Sequence, residues 1–200
     1  MNAVSLPSYG SPLGGGFFAG RILIASVAYA LIVAPKAEGD FAPTEWIEDY
    51  KDVPGARSFN DGLANTAAMA VAGSELAKRA RDLRIGGFED WYVASQDETE
   101  ICYRNLKPGT DENSLYMRSG INVSAIPPTY PYSLDFPKQT ESELFRTGGS
   151  EAFEEVDYWT STQHASLSYD AWSQLFADGT QDGWFKDNHY RARVVRRLAI

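Results

Sequence analysis

The sequence predicts an α+β fold built mainly from antiparallel strands, with two helical stretches and long loops. Three observations predict it. Aromatic residues make up 13% of the chain and stand beside 17 Gly and 10 Pro, a mixture that suits strands and turns better than a helical bundle. An Ala-rich stretch from Asn60 to Leu83 is patterned as helix. From Tyr158 to Ile200 the chain reads as successive strands broken by a strong turn signal. With 200 residues and 44% hydrophobic content, the chain suits one cored domain, or one domain with an extension.

The elements follow in order. Met1 to Gly20 is rich in Pro, Gly and Ser and reads as an extended arm, anchored by Phe17 and Phe18. Arg21–Ile24 and Val27–Val33 read as two strands; the short Ala25-Ser26 link makes them a hairpin, and Pro35 ends the second. In the Ala-rich stretch, Leu63, Ala67, Ala70 and Val71 share one helical face, as do Leu76, Ala80 and Leu83. Asn60 or Asp61 can cap its start. Gly73-Ser74 should interrupt or bend it, and Gly86-Gly87 should stop it. Trp91-Tyr92-Val93 reads as a short buried strand. Ser95 and Glu98 then form a capping box that opens a helix to about Asn105, with Ile101, Cys102 and Leu106 on one face. Lys107 to Ser150 is a long irregular segment, with Tyr130, Tyr132 and Phe136 as its expected pins. Tyr158–Thr162, Ala171–Ala177 and Arg193–Leu198 are strands, with Asp178-Gly179 as a turn and Trp184-Phe185 resuming the sheet.

Composition excludes several functions. The net charge is −9, which disfavours nucleic acid and anionic membranes. Charge is uneven. Glu141 to Asp157 is acidic, whereas Lys186, Arg191, Arg193, Arg196 and Arg197 make the end basic; the two regions are expected to neutralise one another. Cys102 is the single cysteine, so no intrachain disulfide forms. It reads as a small core residue, not a nucleophile. With His164 and His189 as the two histidines, neither a thiol nor a His-based metal site is expected. The apolar segment Ile22–Ala34 is too short to span a bilayer. It follows Gly14-Gly15-Gly16 and a lone Arg21, not a basic leader. Synthesis in a cytoplasm without a secretion signal, and no membrane insertion, are the expectations. No G-x-S-x-G, P-loop or G-x-G-x-x-G motif occurs. Glu154, Glu155 and Asp157 are acid–base candidates by type alone and read as a solvated acidic face. The expectation is therefore a non-enzymatic protein with no cofactor.

Four pieces of sequence carry a family resemblance. Gly87-Phe88-Glu89-Asp90-Trp91-Tyr92-Val93-Ala94-Ser95 with Glu98 resembles the G-x-x-DWYLPS-x-x-E signature of the Lcl C-terminal-like domain. Tyr158-Trp159-Thr160-Ser161-Thr162 resembles its YWSST strand. Ala171-Trp172 through Phe176, Gly179, Lys186 and Arg193–Arg197 resemble its closing run, and Asp61–Thr66 resembles the opening of its long helix. The resemblance covers about residues 57 to 200. It implies a C-type-lectin-like fold: a twisted antiparallel sheet, two flanking helices and long loops that display ligand-binding residues. Formylglycine-generating enzymes share that fold but use a cysteine pair, and this chain has Cys102 alone. The Glu-Pro-Asn and Gln-Pro-Asp triplets of calcium-dependent lectins are also missing. Residues 1–45, an arm and β-hairpin, lie ahead of the matched domain at 46–200 and are similar to attachment regions of bacteriophage virion proteins. The resemblance thus implies a tail-associated virion protein, anchored to other virion proteins through its arm. It would be a homotrimer that binds a host-surface glycan or protein. A structural decoration or baseplate role is the alternative.

Two segments are candidate binding surfaces. Gly183 to Tyr190 combines Trp184 with Lys186, Asp187, Asn188, His189 and Tyr190, the mixture of rigid rings and adaptable polar groups that a recognition surface needs. The alternative is that Trp184-Phe185 packs beneath the hairpin. Gln163 to Asp170, with His164, Ser166, Ser168, Tyr169 and Asp170, is polar and short; it is either a binding loop or an ordinary solvated one. Trp91, Trp159 and Trp172 read as core.

Overall fold

A computed structural model of the chain describes residues 6–116 and 118–200. The elements, in order, are β1 (Pro12–Leu13), β2 (Gly16–Ile24), β3 (Val27–Val33), a single-turn α1 (Lys36–Gly39), β4 (Asp40–Thr44), α2 (Gly62–Ala72), α3 (Glu75–Asp82), β5 (Tyr92–Val93), α4 (Gln96–Leu106), β6 (Asp157–Gln163), β7 (Asp170–Leu175), β8 (Gln181–Phe185) and β9 (Tyr190–Ala199). The fold is mixed α+β, with a mostly sheet core and few helices.

The closing strand β9 is the spine of the sheet. The strand order is β1-β2-β3-β9-β6-β7-β8, and β4 and β5 also pair with β9. Its distal half runs antiparallel to β3, from Tyr29↔Ala199 to Val33↔Val195. Its start meets β6 in parallel at Tyr158↔Arg191. Side chains alternate across a strand, and here that alternation builds two cores. Leu31, Val33, Tyr92 and Val195 join Ile101, Cys102, Tyr103 and Leu106 of α4 on one face. Ile32, Ala34, Val93 and Val194 join Met69, Leu76, Ala77 and Ala80 of α2 and α3 on the other.

The expected hairpin forms, with Ala25 (φ 47°) and Ser26 (φ 66°) both left-handed at its turn, the conformation that matches strand twist. It is longer than expected because β2 begins at Gly16. The arm is not free. A tight turn at Gly14 (φ 53°) and Gly15 (φ 85°) folds β1 back on β2, and both φ values favour glycine. The arm's first residues, 1–5, lie outside the described residues. Strand β3 pairs with β9 and sends its side chains into both cores.

The Ala-rich stretch splits where expected. Asp61 caps α2 by accepting from the Ala64 N–H at 3.1 Å, Gly73 closes it at φ 112°, and Ser74 caps α3 by accepting from Ala77 N–H at 3.3 Å. Its buried face is a correction. Asn65, Thr66 and Met69 face inward while Leu63 and Val71 are exposed. Hydrogen bonding overrides hydrophobicity here. The Thr66 hydroxyl accepts from Val93 N–H at 3.1 Å and donates to the Val93 carbonyl at 3.2 Å, completing a strand edge that has no neighbour there. Asn65 clamps the backbone of Ser58 in the same way. Helix α3 ends at Asp82; Gly86-Gly87 instead form a tight turn that bridges Ile85 and Phe88.

The Ser95–Glu98 capping box is present at the start of α4. The buried Glu98 carboxylate accepts from Ser95 N–H and hydroxyl at 2.8 Å each, Gly62 N–H at 3.1 Å and Tyr92 hydroxyl at 2.6 Å. Burial pushes its pKa above the ordinary carboxylate value, against the pull of these donors. Cys102 is buried beside it, its thiol pushed up by the same loss of solvent. The irregular segment after α4 is held by buried polar hubs. Asn122 donates to the Asp97 carbonyl and Glu100 at 2.8 Å each, and accepts from Ser124 and Ala125 N–H. Asn113 donates to the carbonyls of Ser133, Leu134 and Pro137. Of the three aromatic pins expected in this segment, Tyr132 is buried, whereas Tyr130 and Phe136 are exposed.

The basic end is neutralised, mainly by carboxylates outside the acidic stretch. Arg193 pairs with Glu151 at 2.7 Å, as expected, but Arg191 meets Asp40 at 3.1 Å, Arg196 meets Asp90 at 2.7 Å and Arg197 meets Asp61 at 2.9 Å.

Candidate functional site

Strands β7 and β8 pair in unbroken register, from Gln174↔Gln181 to Asp170↔Phe185. One end closes at Gly179 (φ 79°), where Asp178 accepts from Thr180 N–H at 2.9 Å. The other end carries both candidate segments and brings them together. Lys186 N–H donates to the Tyr169 carbonyl at 3.1 Å, and His164 N–H donates to the Asp170 carbonyl at 3.0 Å. Backbone pairing therefore makes one surface from two stretches that are separate in sequence.

Trp184 and Phe185 are strand residues of β8, not loop residues, so alternation sends them to opposite faces. Both stay accessible, at 40% and 53% exposure. On one face Phe185 meets Tyr169 at 5.8 Å between ring centroids and Tyr50 at 6.2 Å, edge-on. On the other, Trp184 meets Tyr190 at 6.2 Å, and Tyr190 leans on the buried Trp159 at 4.7 Å. Tyr50 and Tyr169 are also well exposed. Tyr50, Tyr169 and Phe185 thus form an exposed aromatic cluster on one face of the strand end, and Trp184 is exposed on the other face.

Tyr50 was not legible as a site residue. It reaches the cluster through tertiary packing, its hydroxyl donating to Asp187 Oδ2, and this bond raises its pKa. Asp49 (φ 66°) and Tyr50 (φ 50°) both take the left-handed conformation, unusual for a bulky side chain and concentrated at functional surfaces. Sequence spacing carries no signal of that turn.

The remaining predicted residues divide. Ser166 is exposed on the β6–β7 connection. Asn188 donates to the Tyr190 hydroxyl at 3.2 Å, and exposed His189 lies 3.8 Å from Glu45. Asn188 therefore edges the Trp184–Tyr190 face, whereas His189 stands beside Glu45. His164 is half-buried: its Nδ1 accepts from Leu167 N–H at 3.1 Å and its ring lies 5.1 Å from Trp172. Asp170 is buried, a correction to its expected exposure. Its Oδ1 has no hydrogen-bond partner among the described residues, and burial raises its pKa while His164 pulls it down.

Lys186 is the clearest correction. Its side chain is fully buried and unavailable to a ligand. The ammonium donates to the Lys51 carbonyl at 2.5 Å and to Gln163 Oε1 at 2.6 Å, and stands 4.6 Å over the Trp46 ring. Desolvation lowers its pKa to about 8, with Asp52 opposing that shift. Around it, Trp46 N–H donates to the Lys186 carbonyl at 2.9 Å and the Trp46 indole donates to the Thr160 carbonyl at 2.8 Å. Lys186 thereby ties the β8–β9 turn to the segment that presents Tyr50.

The acid–base candidates lie apart in their interactions. Glu154 pairs with Lys36 at 2.6 Å, Glu155 accepts from the Thr147 hydroxyl at 2.7 Å, and Asp157 accepts from the Ser173 hydroxyl at 2.7 Å. Among the described residues, no group of three or more His, Cys, Asp or Glu side chains is placed to hold a metal ion. No helix among them is long and apolar enough to cross a membrane. Neither the family models nor the curated proteins contain a match to this chain.

Proposed function

We propose that the chain is a non-enzymatic binding module of C-type-lectin-like fold. It serves as a tail-associated bacteriophage protein that adheres to a host-surface glycan or protein. The observation that carries the binding role is the exposed aromatic end of β7–β8: Phe185 with Tyr50 and Tyr169 on one face, and Trp184 with Tyr190 and Asn188 on the other. Aromatic rings on rigid strands present large contact area and lose little side-chain freedom on binding. Exposed apolar rings clustered in the way of Tyr50, Tyr169 and Phe185 mark interaction surfaces, whereas scattered ones are ordinary. The finer fold rests on the resemblance of residues 57 to 200 to the Lcl C-terminal-like family, and the phage context on the similarity of the N-terminal arm and hairpin to attachment regions of bacteriophage virion proteins. A sheet flanked by helices on both faces supports that reading. Attachment to other virion proteins falls to the surface of the β1–β2 hairpin, and assembly as a homotrimer strengthens a weak face through several copies.

Purified protein is added to host cells and to their surface polysaccharide. Wild type is expected to bind and to block infection. Trp184→Ala and Phe185→Ala each weaken binding at least about tenfold, the scale of an aromatic hot spot, with unchanged thermal midpoints because both side chains are half in solvent. Equal adsorption by wild type and both variants would sink the proposal.

A further inference from the structure

We infer a second binding site, distinct from the aromatic end, in the groove between the N-terminal segment and the loop at 136–142, and assign it an acidic saccharide as ligand. The groove has a volume of about 1110 Å³ and runs from Leu6–Ser11 across Arg21, Arg104 and Asn105 to Phe136–Ser142. Its size is that of an oligosaccharide subsite, not of a single ion.

Charge points to the ligand. The chain carries −9 overall, yet the groove's lining gathers Arg21, Arg104 and Lys138 against the single carboxylate Glu141. Arg104 is committed: it pairs with Glu100 at 2.8 Å and donates to the Gly120 carbonyl at 2.7 Å. Arg21 and Lys138 are exposed and make no ion pair with any described residue. Elsewhere in this protein, the arginines of the closing strand are each matched to a carboxylate. Two unmatched cations facing one groove favour an anion.

Rings and amides point to a sugar. Tyr9 is half-exposed and stacks on the buried Phe18 at 5.5 Å, which fixes its plane. Phe136 is also half-exposed, with the Arg104 guanidinium 5.7 Å from its ring centre. Asn105 and Gln139 each spend an N–H on a backbone carbonyl, that of Ala19 and of Pro108, both at 2.7 Å. No described donor reaches their side-chain oxygens, so these can accept from sugar hydroxyls. The walls are preformed. Gly10 N–H donates to the Phe18 carbonyl at 2.8 Å, and Thr140 ties its loop to α4 through the Lys107 and Asn105 backbones at 2.9 Å each.

The test titrates the full chain with tetragalacturonate and, separately, with its neutral methyl ester, by calorimetry at low and high salt. Saturable binding of the acid is expected, weaker for the ester and weaker in salt. The double variant Arg21→Gln/Lys138→Gln should lose about fivefold or more, as expected for two exposed charges, and Tyr9→Ala should lose a similar factor. Both changes are at the surface, and an unchanged thermal midpoint verifies the fold. Absence of binding at millimolar acid, equal affinity for acid and ester, or an unaffected double variant overturns the proposal. Trp184→Ala serves as the control for the other site: it should leave this binding untouched, so the two proposals fail independently.

Discussion

Lys186 illustrates how burial decides a residue's role. Its neighbours in sequence, Trp184, Phe185 and His189, are all exposed, and a lysine among them reads as a surface charge. The chain instead turns the side chain inward, where the Lys51 carbonyl, Gln163 and the Trp46 ring replace water. The pH consequence has a definite sign. The folded pKa of about 8 lies below the ordinary value of 10.5. Between the two, the unfolded chain holds a proton that the folded chain has released. Raising the pH through that window therefore favours the folded state. Urea denaturation of wild type and Lys186→Met should give a stability difference that is flat below pH 8 and shifts towards wild type as pH approaches 10. A difference independent of pH would contradict this account of Lys186.

At the scale of elements, the β2–β3 turn offers a direct check on the hairpin. Ala25 and Ser26 both occupy left-handed backbone, which costs an L-residue about 1–2 kcal/mol relative to glycine-like freedom. Replacing Ala25-Ser26 by Asn-Gly keeps the geometry and removes most of that strain. Unfolding free energy should rise by about 1 kcal/mol, read from the chemical denaturation midpoint; a fall would mean the turn is held by something other than its backbone conformation. Helix α4 makes the opposite point. Its capping box was readable from Ser95 and Glu98 because that motif is local. The same Glu98 also binds Gly62 and Tyr92, partners whose approach depends on the folding of α2 and β5.

For the whole molecule, the carboxylates set the response to acid. Burial raises the pKa values of Asp40, Asp97, Glu98, Glu100, Asp157 and Asp170. Those of Asp52 and Glu154 are lowered, first by their hydrogen bonds from Gln163 and Lys36, and both groups lie in solvent. A raised folded pKa means that the folded state binds more protons just above the ordinary carboxylate range. Stability then grows as pH falls through that window. The net charge of −9 acts in the same direction, because protonation relieves self-repulsion. The thermal midpoint should be at least as high near pH 5 as at pH 7.5 in scanning calorimetry. A marked drop at pH 5 would show that ion pairs such as Arg191–Asp40 outweigh the desolvated carboxylates.

Whatever depends on neighbours along the chain could be read before any tertiary contact. The β2–β3 hairpin, the break at Gly73-Ser74, the Ser95 cap, the Asp178-Gly179 turn and the burial of Cys102, Trp159 and Trp172 follow from local propensity and short-range hydrogen bonding. Tertiary structure decided which face each element shows and which segments meet. Thr66 turned α2 inward on a polar side because β5 lacked an edge partner, and β9 drew the N-terminal hairpin into the common sheet. The aromatic end was partly legible through Trp184, Tyr169 and Tyr190. Tyr50 and the inward turn of Lys186 were not, because both are fixed by contacts more than a hundred residues apart. A pattern read along the chain records spacing, and it holds no record of which distant backbone will supply a buried ammonium with its acceptors.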